Sequence, residues 1–317
     1  MSAEYPSPTV ALPDIDAVVR GLADVRRAWR QSYHRLQEPG PRELPSRESI
    51  ARIVEGLRGA LFPMRLGPAD LRQENENRYV ALTLDSVLSE LLAQVRLELS
   101  WDARHHAPPL PETPSERASK VVAGFAASLP EIRRLLDTDV VAAFRADPAA
   151  RSVDEVLLCY PGVQALINHR IAHRLYRLGV PLIARLISEL AHSATGIDIH
   201  PGATIGEEFF VDHGTGVVVG ATAIIGNRVQ LFQAVTLGAK SFPTDQDGHA
   251  IKGLPRHPIV EDDVVIYSGA TVLGRVTIGR GAVLGGSVWV TEDVPPLTIV
   301  SQARARSVDQ PKERKTA

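Results

Sequence analysis

Cysteine is almost absent. The 317 residues hold one, Cys159, so no intramolecular disulfide framework can brace the fold. That usage fits a reducing compartment. Cys159, in "VDEVLLCYPG", reads as a small buried hydrophobe at a helix end rather than a nucleophile. Lysine is confined to positions 120, 240, 252, 312 and 315, and the formal net charge is -2, so no basic field points to nucleic acid. Apolar runs fall short of the ~18 residues that suggest a membrane span. The opening "MSAEYPSPTVALPDID" lacks the basic start and apolar core of a secretory signal, so the cytoplasm is the expected location. What remains is ordinary for a globular chain: 44% hydrophobic and 23% charged residues.

Two grammars share this length. Residues 1–195 read as an all-helical domain. "DIDAVVRGLADVRRAWRQSYHRL" sets Val18, Val19, Leu22, Val25 and Trp29 near a helical period. "SRESIARIVEGLRGALF" opens on Ser46, an N-cap residue. His105 and His106 fall in a proline-rich, solvated loop. "SERASKVVAGFAASLPEIRRLLDTDVVAAFRADP" predicts two helices meeting at Pro130. Two more are expected across "GVP", with His169 and His173 packed on a helix face.

Beyond about Ile197 a period of six takes over. Val211, Val217, Ala223, Val229 and Val235 are spaced by six, and so are Val264, Ala270, Val276, Ala282, Val288 and Val294. A companion row stands two residues on, at Ile225, Leu231, Leu237, Ile266, Val272, Ile278, Leu284 and Val290. Hexapeptide repeats predict a parallel β-helix, with aliphatic side chains stacked in a continuous column. The expected fold class is therefore α+β, an N-terminal helical domain followed by a β-helix over residues 196–300. A polar tail, 301–317, follows. The rows lose phase between Val235 and Val264, which marks an inserted polar loop, 239–258, ending in Arg256-His257.

Proton transfer near neutral pH points first to histidine. His213, in "VDHGTGVVVG", stands two residues after Val211, on the companion row as the spacing is read. Asp198 precedes it by fifteen residues, close to one triangular coil, and its carboxylate can orient the ring. Neighbours on a strand face oppositely, so Asp212 is expected to point away from His213. Arg256-His257 belongs to a loop able to fold back over this edge. His200, in "DIHPGA", reads as a coil-edge cap. These residues leave open an acyltransferase acting on an amino acid or a sugar, and a zinc hydratase holding metal through His200, His213 and His257.

"DIHPGATIG", "DHGTGVVVGATA", "VQLFQAVTLGA", "RHPIVEDDVVIYSGATVLG" and "DVPP" together resemble the serine O-acetyltransferases, from about Asp147 to Pro296. The resemblance implies a left-handed β-helix and transfer of acetyl from acetyl-CoA to the L-serine hydroxyl, giving O-acetylserine for cysteine biosynthesis. It implies no metal. It makes His213 the catalytic base and Asp198 its partner. Asp147 and Asp212 would hold the amino acid, Arg256 and His257 its carboxylate, and Gly238, Ala239 and Ser268 would line the acetyl-CoA cleft. A homotrimer, or a dimer of trimers, is implied, with no nucleic-acid or membrane partner. The alternative activities are those of another hexapeptide O-acyltransferase, or of a metal-dependent protein similar to the γ-type carbonic anhydrases. The chain departs from the pattern in its longer loop, in Ala221 where an acidic residue is common, and in ending Lys-Thr-Ala. Without a terminal isoleucine, docking to cysteine synthase is not expected.

Overall fold

The computed structural model describes residues 14–33, 43–105 and 111–302. His106 and the C-terminal Lys-Thr-Ala lie outside the described residues. The chain divides into two compact units, 1–43 and 44–317. In the first, helix α1 (Ile15–Ser32) is capped by Asp14, whose side chain accepts the Ala17 N–H. Its apolar row, including Leu22, Val25 and Trp29, is exposed.

Among the described residues, the second unit begins with seven α-helices: α2 (Arg47–Leu61), α3 (Pro63–Leu66), α4 (Glu76–His105), α5 (Pro114–Ala146), α6 (Val153–Cys159), α7 (Pro161–Arg177) and α8 (Pro181–Thr195). Ser46 caps α2, as its position predicts. Glu98 of α4 does the same for α8 from a distance, accepting the Leu182 and Ile183 N–H groups at 2.8 Å each. Burial pushes its carboxyl up to about 7, and those two donors pull it back. Among the described residues, no helix is long and apolar enough to cross a membrane.

Three local expectations need correction. The helix break at Pro130 does not occur: α5 runs through it. Phe125, Leu129, Ile132 and Leu136 stay buried across the proline, and their burial outweighs the ~3 kcal/mol that an interior proline costs. His105 is the last residue of α4 rather than loop, with its ring stacked on Trp101. Cys159 is exposed, because the short helix α6 buries only Val156. His169 is buried as expected, and His173 Nδ1 bonds the Pro201 carbonyl at 2.9 Å.

Fourteen short strands follow: β1 (Asp198–Ile199), β2 (Thr204–Ile205), β3 (Phe210–Val211), β4 (Val218–Val219), β5 (Ile224–Ile225), β6 (Gln230–Leu231), β7 (Thr236–Gly238), β8 (Ile259–Val260), β9 (Val265–Ile266), β10 (Thr271–Leu273), β11 (Thr277–Ile278), β12 (Val283–Leu284), β13 (Trp289–Val290) and β14 (Ile299–Val300). They form three parallel sheets, ordered β1-β4-β7-β10-β13, β2-β5-β8-β11 and β3-β6-β9-β12-β14. These are the faces of a left-handed β-helix. Inward aliphatic residues such as Val219, Leu237 and Val272 pair in register up the column and are buried.

The register corrects one reading of the six-residue rows. Val211 pairs with Leu231, so it stands on the companion row itself, and His213 lies beyond the strand. Five residues, Asp212 to Gly216, separate Val211 from Val217, whereas the corners above hold three: Phe232–Ala234, Tyr267–Gly269 and Gly285–Ser287. The corner carrying Asp212 and His213 is thus two residues longer than its neighbours. The spacing of six across it is a coincidence of row and insertion.

A buried ion pair ties the helices to the first coil. Arg170 of α7 donates from Nε and Nη2 to the Asp139 carboxylate of α5 at 3.0 and 2.9 Å. It also donates to the Ile205 and Gly206 carbonyls, at 2.8 and 2.6 Å. Asp139 in turn accepts the Phe209 N–H at 3.0 Å, just before β3. The guanidinium and carboxylate are 5% and 0% exposed, so neither is solvated if its partner is lost. Arg170→Met is therefore expected to lower unfolding stability by about 3–5 kcal/mol in urea denaturation. Adding Asp139→Asn to it should recover part of the loss, because no uncompensated charge is then left buried.

Candidate active site

The longer corner after β3 is built to hold an unusual backbone path. His213, Gly214 and Gly216 have φ of 54°, 80° and 78°. A Cβ at Gly214 would sit 2.3 Å from Ile197 Cδ1, so both space and dihedral call for glycine there. Backbone bonds pin the turn: Asp212 N–H to the Leu231 carbonyl at 2.8 Å, Gly216 N–H to that of Gly196 at 2.8 Å, and Ala234 N–H to that of Thr215 at 2.8 Å.

The expectation that Asp212 and His213 point apart fails for this reason. Both lie past the end of β3, where strand alternation no longer applies. His213 Nε2 is 3.8 Å from Asp212 Oδ2. The His213 side chain is 72% exposed and that of Asp212 only 20%, so the ring is offered to the surface beside a sheltered carboxylate.

Asp147 reaches the same corner from the helical layer. α5 stops at Ala146 because Pro148 follows, and Asp147 turns its Oδ1 onto the Ala149 N–H at 2.7 Å. Tyr160, between α6 and α7, donates its hydroxyl to Asp147 Oδ2. That bond first, then the Ala149 N–H, holds the Asp147 carboxyl below the usual range, with His213 adding to the effect. The reciprocal bond, with burial, pushes the Tyr160 hydroxyl up to about 12, and Asp212 contributes. Asp147, Tyr160, Asp212 and His213 therefore form one electrostatic cluster. Sequence reasoning missed Tyr160, and its only trace there is a tyrosine placed before the proline that starts α7.

Asp198 begins β1 and pairs in register with Val218. Its carboxylate groups with Glu189 and His192 of α8, with one ligand atom from each within 4.8 Å of the others. Within one chain, the described ion-pair partner of His213 is Asp212, not Asp198.

Arg256 and His257, just before β8, pack on a different corner, the one between β4 and β5, rather than over the His213 edge as expected. His257 is buried, and its Nδ1 accepts the Thr222 N–H at 3.1 Å. A Cβ on Gly220 would lie 1.9 Å from the His257 ring, so the ring rests directly on that glycine. Burial, then Arg256 and Arg275, push the ring down to about 4, which keeps it neutral near neutral pH. Arg256 is half-buried, and its Nε is buried without a hydrogen-bond partner. The loop before it is exposed and has a local turn of its own. Thr244 bridges Ala250, and Asp245 accepts the Asp247 and His249 N–H groups at 3.0 and 2.9 Å.

Gly238 ends β7 and Ala239 starts the inserted loop, both on the Arg256-His257 edge, and both are half-buried. Ser268 stands two residues past β9, as His213 stands two past β3, and so belongs to the other edge. His200 caps its coil edge, with Nδ1 accepting the Gly202 N–H at 2.9 Å. His200 and His257 share one edge while His213 occupies another, so the three rings do not converge within a chain. One chain thus gathers Asp147, Asp212 and His213 on one edge and Arg256 and His257 on the next, with the β4 face between them.

No family model matches the chain. Individual proteins do. A plasmid-encoded serine acetyltransferase of Synechococcus elongatus is 56% identical over 268 residues, covering 83% of each chain. Among solved structures, serine acetyltransferase 1 of Entamoeba histolytica in complex with L-cysteine aligns with a TM-score of 0.68 at 36% identity, over 79% of this chain and 86% of that one. Soybean serine acetyltransferase complexed with serine aligns with a TM-score of 0.52 at 30% identity, over 85% of this chain and all (100%) of that one. With that identity over that length, and with the helical layer and β-helix in the same order, the chain belongs to the serine acetyltransferase family.

Proposed function

We propose that this chain transfers acetyl from acetyl-CoA to the hydroxyl of L-serine, with His213 as general base, at a site completed by a second copy of the chain. The observation that carries the reading is the grouping of Asp212, and of Asp147 held by Tyr160, about the exposed ring of His213.

A serine hydroxyl is a weak nucleophile at neutral pH. The His213 ring takes its proton as the oxygen attacks the thioester carbonyl, then returns a proton to the departing CoA sulfur. The carboxylate of Asp212 stands 3.8 Å from the ring nitrogen that carries the proton between those two transfers. Asp147, held ionised by Tyr160 and Ala149, also suits the substrate ammonium, and Asp212 shares that role. Asp198 orients the ring once it turns from Asp212 towards β1, as carboxylates do in other histidine pairs. Arg256, with its unpartnered Nε, and His257 suit the substrate carboxylate. Gly238, Ala239 and Ser268 offer half-buried surface to acetyl-CoA.

The distribution of these groups over two edges supports a shared site. A closed three-fold assembly brings one edge of each copy against another edge of its neighbour. L-Cysteine, bound to the Entamoeba relative, shares the ammonium and carboxylate of serine and is expected at the same groups.

His213→Ala is expected to cut kcat by about 10²–10⁴-fold with the circular dichroism spectrum unchanged. Retention of a tenth or more of wild-type kcat contradicts the base assignment. Arg256→Lys keeps the charge but loses the planar fork, so KM for serine should rise several-fold and KM for acetyl-CoA should hold. The opposite split in steady-state kinetics places Arg256 in the acetyl-CoA cleft instead.

A further inference from the structure

In the sequence, Thr222 is an unremarkable residue of the turn "GATA". In the structure it is the hub of the His257 corner. Its N–H donates to His257 Nδ1 at 3.1 Å, and its Oγ1 lies 2.9 Å from the same nitrogen. That Oγ1 also accepts two backbone N–H groups, from Arg256 at 2.9 Å and from His257 at 3.2 Å.

The direction of every bond follows. A backbone N–H can only donate, so Nδ1 must carry its lone pair. The threonine oxygen spends its lone pairs on two donors, which leaves its single hydrogen for Nδ1. In the neutral ring the proton then stands on Nε2. The ring cannot retreat, because the Gly220 backbone lies directly under Cδ2 and Nε2. Arg275 braces the corner by donating to the Thr222 and His257 carbonyls at 2.7 and 3.0 Å.

We infer that Thr222 is a positioning residue that fixes His257 as a neutral Nε2–H donor for the carboxylate of the amino-acid substrate. This role rests on the reading of His257 given above. It gives the carboxylate two unlike donors: a guanidinium that supplies charge and direction, and a neutral N–H whose polarity is set by the Thr222 N–H and hydroxyl together on the far side of the ring. A ring with the opposite tautomer would present a lone pair to the substrate and repel it.

The test combines a mutant cycle with a direct look at the ring. Thr222→Val keeps the shape and the backbone N–H but removes the hydroxyl, and Thr222→Ser restores it. Thr222→Val should raise KM for serine about tenfold, the size of one lost hydrogen bond to a charged group, with KM for acetyl-CoA unchanged and Thr222→Ser close to wild type. In a His257→Ala background, Thr222→Val should add little, because its effect passes through the missing ring. Nitrogen-15 histidine spectra of the whole wild-type protein should show His257 with Nδ1 bare and Nε2 protonated.

A full Thr222→Val effect that persists without His257 would overturn the inference and leave Thr222 as a loop anchor. A protonated Nδ1 in the wild type would also overturn it. A raised serine KM in His257→Ala beside an unaltered Thr222→Val removes the role of Thr222 alone. An unchanged serine KM in His257→Ala removes the reading of His257 and this role with it.

Discussion

The buried fork between Arg170 and Asp139 holds the helical layer against the first coil, and the position of the proposed site depends on it. A β-helix coil by itself offers a shallow edge, and Asp212 and His213 alone would stand on it without helical neighbours. The fork binds α5 and α7 to the Ile205 and Gly206 carbonyls and to the Phe209 N–H. The strand that starts there is β3, which runs into the Asp212–Gly216 corner. The helix that supplies Asp139 ends at Ala146, and Asp147 follows directly. One ion pair therefore fixes both the approach to His213 and the approach to Asp147. Its cost is desolvation of two charges, and the carbonyl and N–H partners around the pair are what make that cost bearable.

The two edges differ in their electrostatics. Around His213 the structure concentrates anionic oxygen, which suits an ammonium. Around His257 it does the reverse: burial and two arginines keep the ring neutral, and an arginine Nε is left unpartnered. An amino acid carries one group for each edge. Separating the edges by the β4 face prevents Arg256 from simply neutralising Asp147 and Asp212 within one chain. That separation is the physical ground for the proposal that the site lies between copies.

Much of this was legible in the sequence, and the failures have specific causes. The hexapeptide rows reveal the β-helix because stacked coils must repeat their inward residues, and the phase break reveals the inserted loop for the same reason. The longer corner from Asp212 to Gly216 stayed hidden because its two extra residues happen to preserve the spacing of six from Val211 to Val217. The unbroken α5 was hidden because propensity at Pro130 carries no information about the burial that overrides it. Tyr160 and Thr222 were invisible for another reason. Each acts on a residue 13 or 35 positions away, through contacts that only the folded turns create. Asp147, Asp198, Asp212, His213, Arg256 and His257 could be named from motifs, but their division between two edges could not.

That division can be tested by mixing two defective chains. His213→Ala leaves the carboxylate edge intact, and Arg256→Ala leaves the base edge intact. If each site takes its base from one copy and its carboxylate anchor from another, a mixed assembly contains at least one complete site. Co-expressed or co-refolded mixtures should then show acetyl transfer well above either parent alone, with KM for serine near that of the wild type. Mixed assemblies that form but are no more active than their parents would contradict the shared site.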